Sequence, residues 1–322
     1  MQALLKLCFG IIPLALCSIA AAQDYPTRVI RIIAPFGAGS PIDIMGRLVA
    51  PKLTEALGQN VIVENRAGAG GMIALEATAK APKDGYTLAL ASMGPLTINP
   101  GLHSRATFDP VKDFTPVSLL AIGPMVIVVH PKVPARNIKE LVALARARPG
   151  KLTYGSAGIG SSNHMAGELL NIAADIKLVH VPYKGNAEAL NDLLSGEIDI
   201  QITGISSVLA HVQEGKIRAI ATTGSSRSAV LPDLPTIGEG GLPEAEMISW
   251  YGLIAPAGTP RNIVDRLNAE IAKIMKTREM AERFSSLGAD PITKTPDEFA
   301  EVIREDVAKW AKVIKERGIK VE

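Results

Sequence analysis

The sequence predicts an α/β protein with two lobes, in which mostly parallel sheets are flanked by helices. Short β-branched runs alternate with runs of helical periodicity along most of the chain, an order typical of parallel sheets. The composition is 47% hydrophobic but only 4% aromatic, which suits a core of Ala, Val, Ile and Leu. Two loops rich in small residues, 35–40 and 155–162, each lie between a strand-like and a helix-like run. Because they are far apart in the chain, we expect one loop in each lobe.

The mature chain begins with a β-α-β-α-β order. Strands are predicted at residues 28–34, 60–64 and 86–91, and helices at residues 41–57 and 72–80. Such an order implies a parallel sheet, because each helix returns the chain across one face of the sheet. Two β-rich runs, 117–120 and 125–129, then flank Gly123-Pro124 and predict a passage between lobes.

A second alternation of helices and strands follows this passage. Helices are predicted at residues 137–148, 165–174, 187–194 and 208–214, and strands at residues 152–154, 178–181, 198–202 and 217–222. A strand at 249–255 and helices at 260–276, 278–287 and 296–317 complete the chain. If the two ends share a lobe, the chain crosses near Gly123 and again near Met247. We then expect lobe 1 at residues 23–123 plus 247–322 and lobe 2 at residues 124–246, hinged to close on a ligand. Two tandem domains are the alternative.

Residues 1–22 have the pattern of a cleaved signal peptide. Lys6 precedes an apolar stretch at 7–19, and the alanines at 20–22 offer a cleavage site. A lipid anchor at Cys17 is disfavoured because a bulky leucine precedes that cysteine. Both cysteines, Cys8 and Cys17, lie in this leader, so the mature chain has neither a disulfide nor a thiolate metal site. We therefore expect a monomer in the periplasm.

Charge and histidine spacing exclude two classes of function. The formal net charge is only +2, which argues against nucleic-acid binding because no strongly basic face is implied. The histidines form no ligand-spaced pair, so we expect no metal and no cofactor. They are His103, His130, His164, His180 and His211.

The two small-residue loops and three similar turns form the candidate binding site, and we expect a small anion there. Glycines let a ligand approach the backbone, and helix starts offer unpaired N–H groups. Hydrogen bonds to a charged group contribute about 1.5–3 kcal/mol each, and micromolar binding needs about 8 kcal/mol net, so donors from both lobes are required. The candidates are Phe36, Gly37, Ala38, Gly39, Ser40, Asp43, Ser92, Met93, Ser156, Ala157, Gly158, Gly160, Ser161, Ser162, His164, Tyr183, Lys184 and Thr203.

Two charged candidates have alternative roles. Asp43 would repel an anion, so it either stabilises the first helical turn or binds a ligand ammonium or hydroxyl group. Lys184 could attract an anion directly, but it is also typical of an exposed lysine. For His164, orienting the second loop is the alternative to ligand contact.

Motifs along nearly the whole mature chain resemble the Bug-type receptors, the substrate-binding proteins of tripartite tricarboxylate transporters. These motifs are Tyr25-Pro26, Pro35-Phe36, residues 63–71, residues 84–88, Asn99-Pro100, residues 149–152, residues 181–185 and residues 253–260. The resemblance implies a two-lobed periplasmic binding protein of the type II, Venus-flytrap kind. It also implies a small organic carboxylate held between the lobes by loop amides, hydroxyls and waters. This ligand would pass to large and small integral-membrane transporter subunits, with no catalytic step.

One departure from the family pattern falls in the first loop. The family commonly has Gly, Ser and Thr where this chain has Ser40, Pro41 and Ile42, whereas Asp43 is retained. Pro41 lacks an N–H group and Ile42 lacks a hydroxyl, so contacts usual at those positions are in doubt. Ser40 is the candidate replacement for the lost hydroxyl.

Two other functions are alternatives. The same clamp could present its ligand to a sensor-kinase ectodomain. A periplasmic serine hydrolase using Ser161 and His164 is the remote alternative. Residues 155–158 are one residue short of a nucleophile elbow, and residues 68–71 do not lead into a complete dinucleotide-binding motif.

Overall fold

The structure is a computed structural model that describes residues 25–102 and 107–319. The predicted signal peptide at residues 1–22 lies outside the described residues. None of the helices in the described ranges combines the length and the apolar character needed to span a bilayer.

The strands form one continuous, curled path in the order β2-β1-β3-β9-β4-β7-β5-β6, and β8 and β10 also pair with β4. The strands are β1 (Ile30–Ala34), β2 (Val61–Asn65), β3 (Thr87–Ser92), β4 (Phe114–Val129), β5 (Thr153–Ser156), β6 (Val179–Pro182), β7 (Ile200–Gly204), β8 (Arg218–Thr222), β9 (Ile248–Pro256) and β10 (Asp290–Pro291). Strands β1 to β3 build the first lobe, and strands β5 to β8 build the second. Strand β4 runs through both.

Helices flank this sheet and connect its strands. They are α1 (Pro41–Leu57), α2 (Met72–Ala79), α3 (Asn99–Leu102), α4 (Ile138–Ala147), α5 (Ser162–Ala174), α6 (Asn186–Ser195), α7 (Ile205–Gln213), α8 (Arg261–Met275), α9 (Arg278–Ser286) and α10 (Pro296–Arg317). The predicted α/β fold of two lobes is confirmed. A π-helical turn, Gly94–Ile98, leads into α3, and neither was predicted because glycine and proline are poor helix formers.

The parallel pairing expected from the sequence is found in the outer strands of each lobe. Strand β1 is parallel to β2 and β3, and β5 is parallel to β6 and β7. Among the described residues, each pairing made by β4 or β9 is antiparallel. These two strands carry the chain between lobes rather than through a βαβ unit, so they enter the sheet in the opposite direction.

Strand β4 passes without a break from the first lobe into the second. Both β-rich runs predicted from the sequence, 117–120 and 125–129, lie in β4, but the strand also continues through Gly123 and Pro124 between them. Up to Pro124 the strand pairs with β9, and from Met125 it pairs with β7 and β8. Proline is accommodated because it lies where the strand changes partners, and the next N–H group, that of Met125, donates to Thr223 Oγ1. The lobe boundaries at 23–123 plus 247–322 and at 124–246 stay a prediction.

The last helix, α10, packs across the crossing strands. The Phe299 ring is fully buried and lies edge-on to Trp250, with the ring centroids 5.3 Å apart. It also covers Gly252, where an added Cβ would lie 2.3 Å from Phe299 Cζ. The Trp250 indole N–H donates to Asp306 at 2.5 Å, while burial raises the pKa of that carboxyl. Helix α10 is therefore anchored on β9, close to the passage between lobes.

Replacing Phe299 with alanine should lower the free energy of unfolding by about 3–5 kcal/mol, because the cavity left between α10 and β9 cannot collapse. Urea unfolding followed by circular dichroism measures this change. The control is Val111→Ala, at a side chain that is 41% exposed, and it should change stability by no more than about 0.5 kcal/mol. Equal effects of the two substitutions would contradict the anchoring role.

Candidate functional site

The N-terminal ends of helices α1, α5, α6 and α7 converge on one cavity between the lobes. Its volume is about 40 Å³. The lining residues are Phe36, Ser40, Pro41, Ile42, Ser92, Met125, Ser162, Asn163, Asn186, Gly204, Ser249 and Tyr251. Helix starts carry unpaired N–H groups and the positive end of the helix dipole, so their convergence favours an anion. The first lobe contributes α1, and the second lobe contributes the other three helices.

None of the residues that line this cavity has an ionisable acidic or basic side chain other than the phenol of Tyr251. A negative charge in the cavity would therefore be stabilised by backbone N–H groups, hydroxyls and amides. The Ser40 hydroxyl and the Asn186 amide oxygen are buried there without a hydrogen-bond partner. Leaving such a group unpaired costs about 1–3 kcal/mol, so a ligand that bonds them is favoured. The serine can donate to a carboxylate, whereas the amide oxygen can accept from a hydroxyl group or a water.

A second cavity of about 160 Å³ adjoins the first and shares Phe36, Ser40 and Asn186 with it. The remaining lining residues are Gly37, Ala38, Gly39, Gly185, Ala187, Leu190 and Ser207. The Ser207 hydroxyl is also buried without a hydrogen-bond partner. This cavity offers a larger, mixed polar and apolar space beside the first cavity.

The structure brings together part of the predicted set of ligand-binding residues. Those that line one of the two cavities are Phe36, Gly37, Ala38, Gly39, Ser40, Ser92 and Ser162. Those that line neither cavity are Asp43, Met93, Ser156, Ala157, Gly158, Gly160, Ser161, His164, Tyr183, Lys184 and Thr203. Contact of the second group with a ligand stays a prediction, and several of its members have other partners.

Asp43 fixes the first loop through hydrogen bonds. Its buried carboxylate accepts hydrogen bonds from the Gly39 N–H at 2.9 Å, from Arg47 Nε at 3.1 Å and from Asn65 Nδ2 at 2.7 Å. Burial opposes ionisation, but these bonds outweigh it and hold the pKa of the carboxyl below its ordinary value. The same Asn65 amide donates to the Phe36 carbonyl. Asp43 thus fixes the loop, and its charge is paired with Arg47.

The second loop is held by hydrogen bonds among its own residues. Ser161 Oγ donates to the Gly158 carbonyl at 2.7 Å and caps α5 by accepting the His164 N–H. His164 Nδ1 in turn accepts the Gly160 N–H at 3.1 Å. The Ser161 hydroxyl and the His164 imidazole are each bonded to the backbone and not to each other. This arrangement does not supply the nucleophile and base that the hydrolase alternative requires.

Two stacked histidines lie behind the second loop. The rings of His164 and His180 are 4.0 Å apart, and His180 Nε2 lies 2.6 Å from Ser156 Oγ. Burial lowers the pKa of His164 to about 4. Burial and then the neighbouring His164 lower the pKa of His180 to about 3. Both rings are therefore neutral at pH 7, which leaves His164 Nδ1 free to accept the Gly160 N–H.

The remaining predicted residues lie beside the cavities. The Tyr183 hydroxyl donates to Asp192 Oδ2 at 2.7 Å, and burial followed by this bond raises the pKa of the phenol to about 12. Lys184 is exposed, and Thr203 is fully buried with a hydroxyl that has no hydrogen-bond partner. Within the described ranges, no group of three or more His, Cys, Asp or Glu residues is placed to hold a metal ion.

Several cavity residues were missed in the sequence. They are Met125, Asn163, Asn186, Gly204, Ser249 and Tyr251, while Pro41 and Ile42 entered only as departures from the family pattern. Asn186 could have been found, because it starts a helix after a strand and a glycine, as the two predicted loops do. Ser249 and Tyr251 could not, because they lie in the crossing strand β9 and face the cavity only when both lobes meet there.

These features can be compared with known proteins. The family model described as the tripartite tricarboxylate transporter family receptor, TctC, matches residues 45–319. The chain belongs to this family. The resemblance to Bug-type receptors is also confirmed, since the chain is 37% identical to protein BugT of Bordetella pertussis over 94% of this chain and 93% of BugT. The TctC receptor family is one of solute-binding proteins.

Two solved structures of related proteins contain bound acids. The structure of Rpa4515 of R. palustris with adipate is 35% identical, has a TM-score of 0.89 and covers 92% of this chain and 99% of that one. The structure of MatC of Rhodopseudomonas palustris with bound malate is 32% identical, has a TM-score of 0.86 and covers 90% of this chain and 100% of that one. The fold of this receptor is therefore that of periplasmic binding proteins of the TctC type.

The stacked histidines should make this receptor less stable in mild acid. The pKa values of His164 and His180 lie below the ordinary value of 6.5, so the unfolded chain binds more protons as the pH falls below 6.5. The stability they contribute is complete above pH 6.5 and is lost progressively towards pH 3. Urea unfolding at intervals from pH 7.5 to pH 5 measures this loss.

The variants His164→Asn and His180→Asn remove one titrating ring each, so their stability should depend less steeply on pH in this window. The window excludes most carboxylates, which titrate at lower pH. A pH dependence identical to that of the parent would show that the pKa of the replaced histidine is not lowered in the folded protein.

Proposed function

We propose that this chain is a periplasmic receptor that binds a small organic carboxylate in the cleft between its lobes and delivers it to a tripartite tricarboxylate-type secondary transporter. The single observation that carries this proposal is the convergence of four helix N-termini on a cavity lined by uncharged hydroxyls and amides. The adipate and malate in the structures of related proteins support the same class of ligand.

The energetics of the site are consistent with a carboxylate. A helix N-terminus contributes about 0.3–2 kcal/mol to the binding of an anion, and a hydrogen bond to a charged group contributes about 1.5–3 kcal/mol. Four helix ends and the hydroxyls of Ser40, Ser92, Ser162 and Ser249 can together exceed the roughly 8 kcal/mol that micromolar binding needs, after ordering costs. One loop alone cannot, and so the proposed ligand contacts both lobes.

A panel of organic acids tests the binding step. The panel contains adipate, malate, other mono-, di- and tricarboxylates, and aromatic acids, and thermal unfolding is followed with and without each acid. We expect at least one acid to raise Tm, because a ligand that binds only the folded state stabilises it. Absence of a shift across the whole panel would overturn the proposed function.

The variant Ser40→Asp places a negative charge in the cavity and should abolish the shift in Tm. Ser40 is the N-cap of α1, where aspartate is also favoured, but its hydroxyl is buried without a partner and a carboxylate there costs stability, so the shift in Tm is measured against the acid-free variant itself. The matched control is Ser225→Asp, which adds the same charge at an exposed serine and should leave the shift unchanged. Retained binding by Ser40→Asp would place the anion elsewhere.

Deletion of the gene in its own host tests delivery to the transporter. We expect uptake of the binding acid to fall strongly, and expression of the receptor to restore it. If uptake stays normal while induction by that acid is lost, the receptor serves a sensor kinase instead.

N-terminal sequencing of the protein from the periplasmic fraction tests the predicted signal peptide. The sequence should begin at Gln23, as the predicted cleavage site requires.

A further inference from the structure

A backbone amide of the first lobe bonds a cavity-lining hydroxyl of the second lobe. Gly94 follows β3 and begins the π-helical turn, and Ser162 is the first residue of α5. The Gly94 N–H donates to Ser162 Oγ at 3.1 Å across the cleft. Ser162 is therefore held by the opposite lobe at the place where the anion is proposed to bind.

This bond requires glycine at position 94 because the two backbones approach closely. A Cβ added to Gly94 would lie 2.6 Å from the Ser162 amide nitrogen and 3.1 Å from the Ser161 carbonyl carbon. Both are backbone atoms, so they cannot move aside as the tip of a flexible side chain could. The φ angle of Gly94 lies outside the left-handed region, so alanine would meet no backbone strain there.

The contact between lobes continues on one side of this bond. A Cβ on Gly70 would lie 2.8 Å from the Ile159 carbonyl oxygen, and a Cβ on Gly160 would overlap Asn99 Oδ1. The Asn99 amide in turn donates to the Gly70 carbonyl at 3.1 Å. These residues, together with Gly94, form a row of close contacts between the lobes. Gly70 and Asn99 belong to two of the motifs found in the sequence, and neither residue lines the two cavities.

Because the Gly94 N–H is the donor in this hydrogen bond, the hydroxyl proton of Ser162 is available to donate to another group. Ser162 Oγ accepts from Gly94, and its own O–H group donates to no protein atom among the described residues. A hydroxyl that accepts one bond can still donate its proton to a carboxylate oxygen. We propose that Gly94 is a positioning residue, which orients the Ser162 hydroxyl toward the bound acid only when the lobes close. Lobe closure and ligand recognition then depend on the same contact, an inference that rests on the proposed function.

Amide hydrogen exchange of the parent protein gives the first test, with adipate, malate and every other acid that raises Tm as the probes. If the lobes separate, the Gly94 N–H loses the bond to Ser162 Oγ seen in this structure, and closure around an acid would restore it. We therefore expect its exchange to slow roughly tenfold or more at saturating acid. An acid that raises Tm but leaves Gly94 exchange unchanged would overturn the positioning role and leave the proposed function intact. If no acid raises Tm, both fail.

The variant Gly94→Ala gives the second test. Its Cβ should block closure, so we expect the affinity for the same acids to fall roughly tenfold or more while the Tm of the acid-free protein stays near that of the parent. The decrease in radius of gyration on adding acid should be lost. A variant that binds and compacts like the parent, or that loses acid-free stability in proportion to affinity, would contradict the proposal.

The matched control is Gly101→Ala, in the same lobe and also outside the left-handed region. Its Cβ would meet only the Cδ1 atom of Ile314 at 3.1 Å, which is the flexible end of a side chain. We expect this variant to bind the acids and to compact as the parent does. A loss of affinity equal to that of Gly94→Ala would indicate a general intolerance of added methyl groups in the first lobe rather than a specific contact between lobes.

Discussion

The proposed site depends on one electrostatic constraint: no residue that lines the cavity carries a positive charge, so an anion bound there would be stabilised by helix N-termini. A helix N-terminus is equivalent to about half a charge, and its effect falls off within the first turn. Several helix starts must therefore lie within one turn of the same point. Strands that end at a common edge of a sheet and lead into helices place α5, α6 and α7 in this way in the second lobe. The crossing strands β4 and β9 bring α1 of the first lobe opposite them.

The ionisable groups near the cavity are arranged so that they do not disturb this field. Asp43 is negative, but Arg47 and Asn65 bond its carboxylate, and it serves to hold the first loop. His164 and His180 are kept neutral by burial and hold the second loop. Because these loops are already fixed, presenting their N–H groups to a ligand requires no further loss of conformational entropy in the loops. The residues that carry charge or titrate thus stabilise the loops, and uncharged groups line the cavity.

Local sequence signals predicted the outer strands and most helices, because each depends on periodicity and on glycine or proline at its ends. Helix α1 was predicted at its observed bounds. The passage at Pro124 could not be predicted as continuous strand, since the change of partner that accommodates proline is a tertiary feature. The same limit applies to the site. The loop at 36–40 was found from its composition, whereas Tyr251 lines the cavity only because β9 crosses there.

A protein can require glycine either for a backbone conformation or for the close approach of another part of the chain, and Gly94 is a case of the second kind. At Gly70 and Gly160 the φ angle is positive, so backbone conformation alone explains glycine there. At Gly94 conformation makes no such demand, and glycine in a helical turn costs about 1 kcal/mol relative to alanine. Only the approach of Ser162 accounts for this cost. Because the two residues belong to different lobes, the residue type at position 94 is explained by this contact between lobes rather than by the backbone conformation of the turn.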